Sequence, residues 1–174
     1  MRMTGGTFRG RILESPKGHD VRPATDKVRQ AVFNSLLSRI DLDGIHVLDG
    51  FCGTGSYGLE ALSRGARFCT FIDKDTSFCR KNVAALGLEN RSKIMQKDLL
   101  KLPEKPADIP AANLAFLDPP YRKNLLLSSL GLLKEKDWLV PDALCVLECE
   151  KELNLHMGDE KTYGDVKISF VNSG

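Results

Sequence analysis

The sequence predicts an α/β fold, with a mainly parallel, doubly wound sheet and helices on both of its faces. From residue 45 onward, short apolar runs alternate with segments that repeat apolar residues at helical spacing, which is typical of parallel sheets. Glycines follow two of the helical segments, at Gly65 and Gly87, where helices commonly end. Ligands of such sheets bind beyond the carboxyl ends of the strands. The residues that follow each strand are therefore the candidates for a functional site.

The first 24 residues are predicted to form a basic arm, made of two short strands around a turn at Gly5-Gly6. Residues 1–29 carry seven lysine and arginine residues against three acidic ones, whereas the rest of the chain is slightly acidic. A basic arm on an acidic body suggests a face that meets phosphate, although an ordinary solvated basic stretch has the same composition. We interpret the arm as part of a single domain whose body is residues 25–174.

The body is predicted to begin with a helix. Arg22-Pro23 is expected to keep the chain extended, and Thr25 to cap a helix whose buried face runs from Val28 through Leu37 to Ile40. Further strands are expected at 45–48, 68–72, 93–95, 114–117 and 143–147, helices at 56–64, 76–86 and 124–134, and a closing hairpin over 161–171, turned at Gly164.

The composition argues against several classes of protein. No apolar run approaches the roughly 20 residues of a membrane span, and the chain does not start like a signal peptide. The five cysteines are odd in number and scattered, with no Cys-x-x-Cys pair, which argues against a disulfide framework and favours a reducing cytoplasm. The three histidines lie far apart, so no metal site is predicted.

The loop after the first strand indicates a cofactor. Gly53, Gly55 and Gly58 match the dinucleotide fingerprint, which alone is weak evidence. Asp49, at the end of the strand, distinguishes between cofactors. Its carboxylate would repel the pyrophosphate of NAD and attract the α-ammonium of S-adenosylmethionine, which has no phosphate. The loop therefore favours S-adenosylmethionine, with an NAD-dependent oxidoreductase as the rival.

Two further aspartates follow the next two strands. Asp73 ends the second strand and is placed to accept hydrogen bonds from both ribose hydroxyls. Asp98 follows the third strand and could accept from the adenine amino group. Three acidic strand ends thus match a cationic amino acid, a sugar and a base. The alternative is that these aspartates cap the turns that come after them.

The fourth strand is followed by Asp118-Pro119-Pro120-Tyr121, which could form a plain turn. Proline cannot donate a backbone hydrogen bond, so the corner presents the Asp118 carboxylate and the Pro119 carbonyl as acceptors. Two acceptors that hold both hydrogens of an exocyclic amine can aim the nitrogen lone pair at a sulfonium methyl group. Tyr121 can stack on the base that carries the amine, and a base within a helix would be flipped out first.

These segments together closely resemble the RsmD family of bacterial 16S ribosomal RNA guanine-N2 methyltransferases. The glycine loop alone indicates a methyltransferase superfamily, and the Asp-Pro-Pro-Tyr motif narrows it to methylation of amino groups. The resemblance covers nearly the whole chain, in Gly5-Gly6-x-x-Arg9-Gly10-Arg11, Arg22-Pro23-x-Thr25-Asp26-x-Val28-Arg29, Phe33-Asn34, Asp49-x-Phe51-x-Gly53-x-Gly55, Gly58-Leu59-Glu60-Ala61-Leu62-Ser63-Arg64 and Asp118-Pro119-Pro120-Tyr121.

The resemblance implies the fold of a Rossmann-like class I S-adenosylmethionine-dependent methyltransferase, with seven strands and an antiparallel last strand. It implies that Thr25, Phe51, Gly53 and Gly55 bind the cofactor together with the three strand-end aspartates. It also implies that the acceptor is a guanine of 16S ribosomal RNA within a partly assembled small subunit. Arg9, Arg11, Arg22 and Arg29 would contact this RNA.

Two other functions remain open from the sequence. An adenine-N6 DNA methyltransferase could use the same Asp-Pro-Pro-Tyr corner, although 174 residues leave little room for a separate target-recognition region. A non-catalytic RNA-binding module could use the basic arm alone, and the intact corner would then have no evident purpose.

Overall fold

The computed structural model describes residues 1–17, 23–120 and 123–174. Within these ranges, seven strands form one mixed sheet in the order β3-β2-β1-β4-β5-β7-β6. The strands are β1 (His46–Gly50), β2 (Phe68–Asp73), β3 (Ser92–Gln96), β4 (Ala112–Leu117), β5 (Leu139–Glu150), β6 (Asp159–Tyr163) and β7 (Val166–Asn172). Strands β1 to β5 run parallel, whereas β7 is antiparallel to both β5 and β6. The predicted α/β fold and the antiparallel last strand are confirmed.

Helices lie on both faces of the sheet, as predicted. In the described part of the chain they are α1 (Pro23–Leu36), α2 (Ser56–Ser63), α3 (Ser77–Ala85) and α4 (Lys123–Glu135). Successive strand residues point to opposite faces, so Val47 packs in one apolar cluster with residues of α1, α2 and α3, and Leu48 packs in another with residues of α4. Among the described residues, no helix has the length and apolar character needed to cross a membrane.

The predicted elements after residue 45 are all present, with bounds shifted by up to four residues, but the prediction for α1 was wrong at both ends. Pro23 is the first residue of the helix, where a missing N–H costs nothing. Thr25 therefore lies in the first turn and does not cap it. Leu36 is fully buried, whereas Leu37, one position later, is 65% exposed. Arg22 lies outside the described residues.

The N-terminal arm differs from the predicted pair of strands. Between residues 1 and 17 the structure has a single antiparallel bridge, from Arg2 to Ile12. The amides in the turn bond to helix α2 instead of to a strand, because Gly5 N–H donates to the Glu60 carboxylate at 2.9 Å and Thr7 N–H to the Ser63 carbonyl at 2.8 Å. The two ends of the arm are paired by backbone bonds, with Met3 N–H donating to the Arg11 carbonyl and Leu13 N–H to the Met1 carbonyl, but they form no strand beyond the single bridge, and the turn is fastened to α2.

Candidate active site

Three carboxylates lie near the carboxyl ends of neighbouring strands, on one face of the sheet. Strands β1, β4 and β5 are adjacent, and the pairing of β1 with β4 places Asp118 on the same face as Asp49. Leu117 of β4 is in register with Leu147 of β5. Asp118, which follows β4, and Glu148, which is still within β5, therefore lie side by side, at the spacing of about 5 Å between neighbouring strands.

Two adjoining cavities open at this carboxyl edge. The first has a volume of about 840 Å³ and the second about 670 Å³. The first cavity is bordered by Asp73, Asp98 and Pro119, the second by Asp49 and Gly53, and both by Thr25, Phe51, Asp118 and Glu148. The structure thus brings together most of the residues that the sequence singled out. Tyr121 lies outside the described residues.

Asp49 is a buried carboxylate with little to stabilise its charge. One oxygen accepts the backbone N–H of Gly58 at 2.9 Å, and among the described residues no cation pairs with it. Burial raises the pKa of Asp49 to about 8, with a further contribution from the charge of Asp73 and a partial offset by the Gly58 N–H. A cation that enters the second cavity would therefore gain a strong partner.

The loop between β1 and α2 borders both cavities and has an unusual backbone conformation. Phe51 adopts a left-handed φ of 57°, a conformation that costs free energy for a bulky residue and is concentrated at functional sites. At Gly53, with φ of 54°, an added Cβ would meet nothing within 4 Å, so the backbone there is open to a ligand. Gly55 begins α2 with φ of 83°.

Gly58 has a different role from Gly53. A Cβ at Gly58 would lie 2.4 Å from a ring carbon of Phe71 on β2. This glycine therefore permits close packing of α2 on the sheet, the part that the third glycine plays in dinucleotide folds. Only Gly53 of the three predicted loop glycines has the open surroundings that a ligand contact needs.

Asp73 and Asp98 both border the first cavity and both also hold local structure. Asp73 accepts the Gly53 N–H at 2.7 Å and the Asp75 N–H at 3.3 Å. Asp98 accepts the Leu100 N–H at 3.0 Å at the start of a short 3-10 helix. Each carboxylate oxygen can accept more than one hydrogen bond, so the turn-stabilising role and the predicted ribose and adenine contacts are compatible.

Asp118 and Pro119 form the corner that follows β4. The surface of Asp118 is open to both cavities. The surrounding protein desolvates its carboxyl group, and with the nearby charges of Glu148 and Asp49 this raises the pKa of Asp118 well above its usual range. A carboxylate with a raised pKa can accept hydrogen bonds and can also take up a proton.

Glu148 is a site residue that the sequence reasoning missed. It borders both cavities beside Asp118 and accepts a hydrogen bond from the Tyr57 hydroxyl at 2.9 Å. Burial raises the pKa of Glu148, and the Tyr57 bond partly offsets this effect. The Tyr57 ring is itself fixed by stacking on Phe116 at 5.0 Å. The sequence did contain a signal for Glu148, because this residue directly follows the predicted strand at 143–147, as the other candidate carboxylates follow theirs.

Arg29 is placed where it fastens the arm. It exposes 1% of its surface and pairs with Glu60 and Asp26, each at 3.1 Å. It also donates to the backbone carbonyl of Arg2. In this position the side chain holds the arm to α2, so we do not retain it as an RNA contact. Its remaining nitrogen, Nη1, has no partner among the described residues, and Arg29 borders the second cavity.

The two arm arginines that were predicted to contact RNA, Arg9 and Arg11, lie away from the cavities. Arg9 and Arg11 are exposed. The neighbouring Phe8 N–H donates to Ser63 at the end of α2, and Arg11 donates to the carbonyl of Ala85 at the end of α3. Helix α2 has eight residues, about 12 Å at the usual rise. The arm arginines are thus roughly one helix length from the carboxyl edge.

Comparisons with known proteins agree with this architecture. A family model described as "Conserved hypothetical protein 95" matches residues 1–172. The ribosomal RNA small subunit methyltransferase D of Escherichia coli is 37% identical over 158 residues, which cover 89% of this chain and 77% of that protein. The Haemophilus influenzae protein of the same name is 35% identical over 156 residues, which cover 87% and 80% of the two chains.

Among solved structures, the Escherichia coli protein yhhF has a TM-score of 0.84 and 33% identity, and the match covers 99% of this chain and 97% of that chain. The C-terminal domain of precorrin-6Y C5,15-methyltransferase from Rhodobacter capsulatus, at 18% identity and a TM-score of 0.60 over 88% and 92% of the two chains, shares the fold. This confirms the expected class I methyltransferase fold. Since the family match spans nearly the whole sequence and the curated relatives are matched over most of their own length, the chain belongs to the RsmD family.

Proposed function

We propose that this protein is an S-adenosylmethionine-dependent methyltransferase that modifies the exocyclic N2 amine of a guanine in 16S ribosomal RNA. The observation that carries the proposal is the placement of Asp49 and Asp118-Pro119 on adjacent strands, bordering cavities that adjoin each other. The Asp49 carboxylate suits a cationic methyl donor, and the Asp118 carboxylate suits an amine that accepts the methyl group. The RsmD relatives, which are named as small-subunit ribosomal RNA methyltransferases, support the RNA substrate.

The second cavity fits the amino-acid part of S-adenosylmethionine. Asp49 is a buried carboxylate with a raised pKa, so a bound α-ammonium would supply the positive charge that it lacks. Arg29 Nη1 has no partner among the described residues and is the available donor for the α-carboxylate. Gly53 leaves room for close approach. The ammonium and the carboxylate of the amino-acid part would thus each face a residue of opposite charge, Asp49 and Arg29.

The first cavity fits the nucleoside part of the same cofactor. Asp73 would accept the ribose hydroxyls, and Asp98 would accept the adenine amine. Thr25 and Phe51 border both cavities and would therefore contact the cofactor between its two ends. When bound, S-adenosylmethionine supplies a methyl carbon on a positively charged sulfur atom.

Asp118 and Pro119 would hold the acceptor amine. The Asp118 carboxylate and the Pro119 carbonyl each accept one N–H, which directs the nitrogen lone pair toward the methyl carbon. Bound S-adenosylmethionine would supply the methyl carbon together with a neutral thioether leaving group, and Asp118 and Pro119 would hold the acceptor nitrogen toward that carbon. The amine then loses one proton, and the raised pKa of Asp118 makes its carboxylate a suitable acceptor for that proton. Tyr121 would stack on the base.

The basic arm would bind RNA outside the reacting centre. Arg9 and Arg11 are exposed at the far ends of α2 and α3, so they would contact phosphates roughly a helix length from the reacting amine. A substrate that contacts both the arm and the reacting centre must span this distance, which suits a folded RNA more than a short oligonucleotide. The 16S RNA of a partly assembled small subunit is such a substrate, and Arg22 is proposed as a further contact.

The experiment that tests the proposal is transfer of a tritiated methyl group to naked ribosomal RNA, to small subunits that lack this modification, and to DNA. The product is digested and the labelled nucleoside identified. We expect N2-methylguanosine from small subunits. Labelled N6-methyladenine from DNA would replace the proposal with its main rival, and RNA binding without transfer to any substrate would replace it with a non-catalytic role.

A further inference from the structure

We propose that Glu148 selects guanine over adenine, by accepting a hydrogen bond from the N1–H of the target base. This inference rests on the proposed function and adds a specificity-determining residue to it. Neither the strand-end aspartates nor the Asp-Pro-Pro-Tyr corner distinguishes the two bases, since both carry an exocyclic amine. A group beside the amine site must therefore read the neighbouring ring nitrogen.

The position of Glu148 meets this requirement. It lies near the carboxyl end of β5, beside the residue that follows β4, because the register of Leu117 with Leu147 puts Asp118 and Glu148 side by side. Both border the first and the second cavity. A base whose amine is held by Asp118 therefore presents its adjacent ring atom to Glu148.

The hydrogens of guanine match the acceptors at this edge. The Watson–Crick edge of guanine carries three N–H hydrogens, one on N1 and two on N2. The site offers three acceptors for them: the Glu148 carboxylate, the Asp118 carboxylate and the Pro119 carbonyl. Enzymes that flip a base commonly read this edge by hydrogen bonds.

Adenine fails the same match. Its N1 carries a lone pair and no hydrogen, so it would face the carboxylate of Glu148 with two acceptors in contact. Leaving a polar group without its hydrogen-bond partner in this way weakens the binding of the base. A site built to hydrogen-bond an N–H group rejects analogues that lack it more strongly than a purely apolar pocket can.

Tyr57 acts as a positioning residue for Glu148. Its hydroxyl donates to one oxygen of the carboxylate, Oε2, at 2.9 Å, and its ring is stacked on Phe116. This bond fixes the orientation of the carboxylate and leaves the other oxygen, Oε1, for the base. The described residues provide no salt bridge to Glu148, so its acceptor capacity is not taken by an internal cation.

The test compares guanine with 2-aminopurine, which has the same N2 amine but no hydrogen on N1. The target position is first mapped with the wild-type enzyme. Small subunits are then assembled with either base at that position, and kcat/KM is measured. We expect the wild type to prefer guanine by on the order of 100-fold, and Glu148→Gln to reduce this preference to less than about fivefold, since a glutamine amide can turn to donate to an unprotonated N1.

Two further variants separate selection from folding. Tyr57→Phe keeps the stacked ring and removes the hydroxyl, so we expect a partial loss of the guanine preference. Glu135→Gln removes the same charge from an exposed position at the end of α4 and should leave the preference unchanged. Affinity for S-adenosylhomocysteine shows that each variant is folded.

A Glu148→Gln enzyme that keeps the wild-type preference for guanine overturns the inference, as does a wild type that methylates both bases equally. Either result leaves the proposed function intact, because guanine is still methylated. Failure of the wild type to methylate guanine in small subunits would instead refute the proposed function itself.

Discussion

Two buried carboxylates, Asp49 and Glu60, lie close together around helix α2 but have opposite surroundings. Glu60 is fully buried and is held by Arg29, Arg64 and the Thr4 and Gly5 amides, at distances between 2.9 and 3.1 Å. Burial alone would raise the pKa of Glu60, but these hydrogen bonds lower it below its usual value. Asp49 has one N–H donor and no cation among the described residues, and its pKa rises to about 8.

The comparison separates a carboxylate whose partners are all within the protein from one that has capacity left for a ligand. A carboxylate with every lone pair used has no capacity left for a ligand, so Glu60 serves to fix the arm on α2. A buried carboxylate with unused capacity is costly to keep ionised, and such groups are concentrated where a ligand supplies the missing partner. Asp118 and Glu148 are more accessible than Asp49, since both open to the cavities, but they share its raised pKa at the same edge.

The largest expected effect is at Asp118. Replacement Asp118→Ala removes the acceptor that orients the amine, and we expect methyl transfer to fall on the order of 1000-fold, equivalent to about 4 kcal/mol. Affinity for S-adenosylhomocysteine should stay within about threefold of wild type by calorimetry, since the Asp118 carboxyl contacts the acceptor. A variant with wild-type turnover would contradict the amine-orientation mechanism.

The next largest effect is on folding, at Glu60. Replacement Glu60→Gln leaves the buried Arg29 guanidinium without its main counter-charge, and loss of one partner of a buried ion pair costs about 3–5 kcal/mol. We expect the free energy of unfolding, measured with urea, to fall by about 3 kcal/mol. Asp26→Asn is the matched control, because Asp26 pairs with Arg29 from a partly exposed position, and its effect should be clearly smaller.

Asp49 is expected to behave in the opposite way to Glu60, because its replacement should weaken ligand binding and not folding. Replacement Asp49→Asn removes the proposed partner of the α-ammonium, and we expect affinity for S-adenosylhomocysteine to fall roughly 100-fold, in line with about 2–3 kcal/mol for a buried charged pair. Stability should be unchanged or increased, because a buried unpaired carboxyl is replaced by a neutral group of the same shape. Unchanged affinity in this variant would place the amino-acid part of the cofactor elsewhere.

The same carboxyl predicts a pH dependence. Below its pKa of about 8, Asp49 is mostly protonated in the free protein and cannot pair with an ammonium group. As the pH rises from 7 to 8 the ionised fraction increases, so affinity for S-adenosylhomocysteine should strengthen roughly fivefold. The Asp49→Asn variant should lose this dependence, and a wild type with the opposite slope would contradict the role given to Asp49.

Local sequence patterns were sufficient to predict the strands and most of the residues that border the cavities at the carboxyl edge, because each of these depends on residues close together in the chain. Asp49, Asp73 and Asp118 could be identified because each comes directly after the apolar run of a predicted strand. Glu148 occupies the same kind of position, but it stands in no motif, and its meaning depends on the pairing of β4 with β5, which the chain order does not reveal.

The function of Arg29 was harder to predict for a related reason. Its partner Glu60 lies 31 positions away in sequence, and a basic residue in a basic stretch gives no local sign that it is buried. The arm was misread in the same way. Its glycines suggested a hairpin, whereas its amides bond to Glu60 and to Ser63 of α2. Contacts between segments that are distant in sequence determine both the position of Arg29 and the conformation of the arm.

The smallest expected effect concerns the exposed part of the arm, where charge has no buried partner. The double replacement of Arg9 and Arg11 by alanine should weaken RNA binding and reduce the salt slope of log K by about 1.4, since each phosphate contact contributes about 0.7 on single-stranded RNA. Lys93 and Lys134, which are exposed outside the arm, provide a control pair of the same charge. Equal losses in both pairs would mean that RNA responds only to the net charge of the protein, and the arm would then have no specific role in holding it.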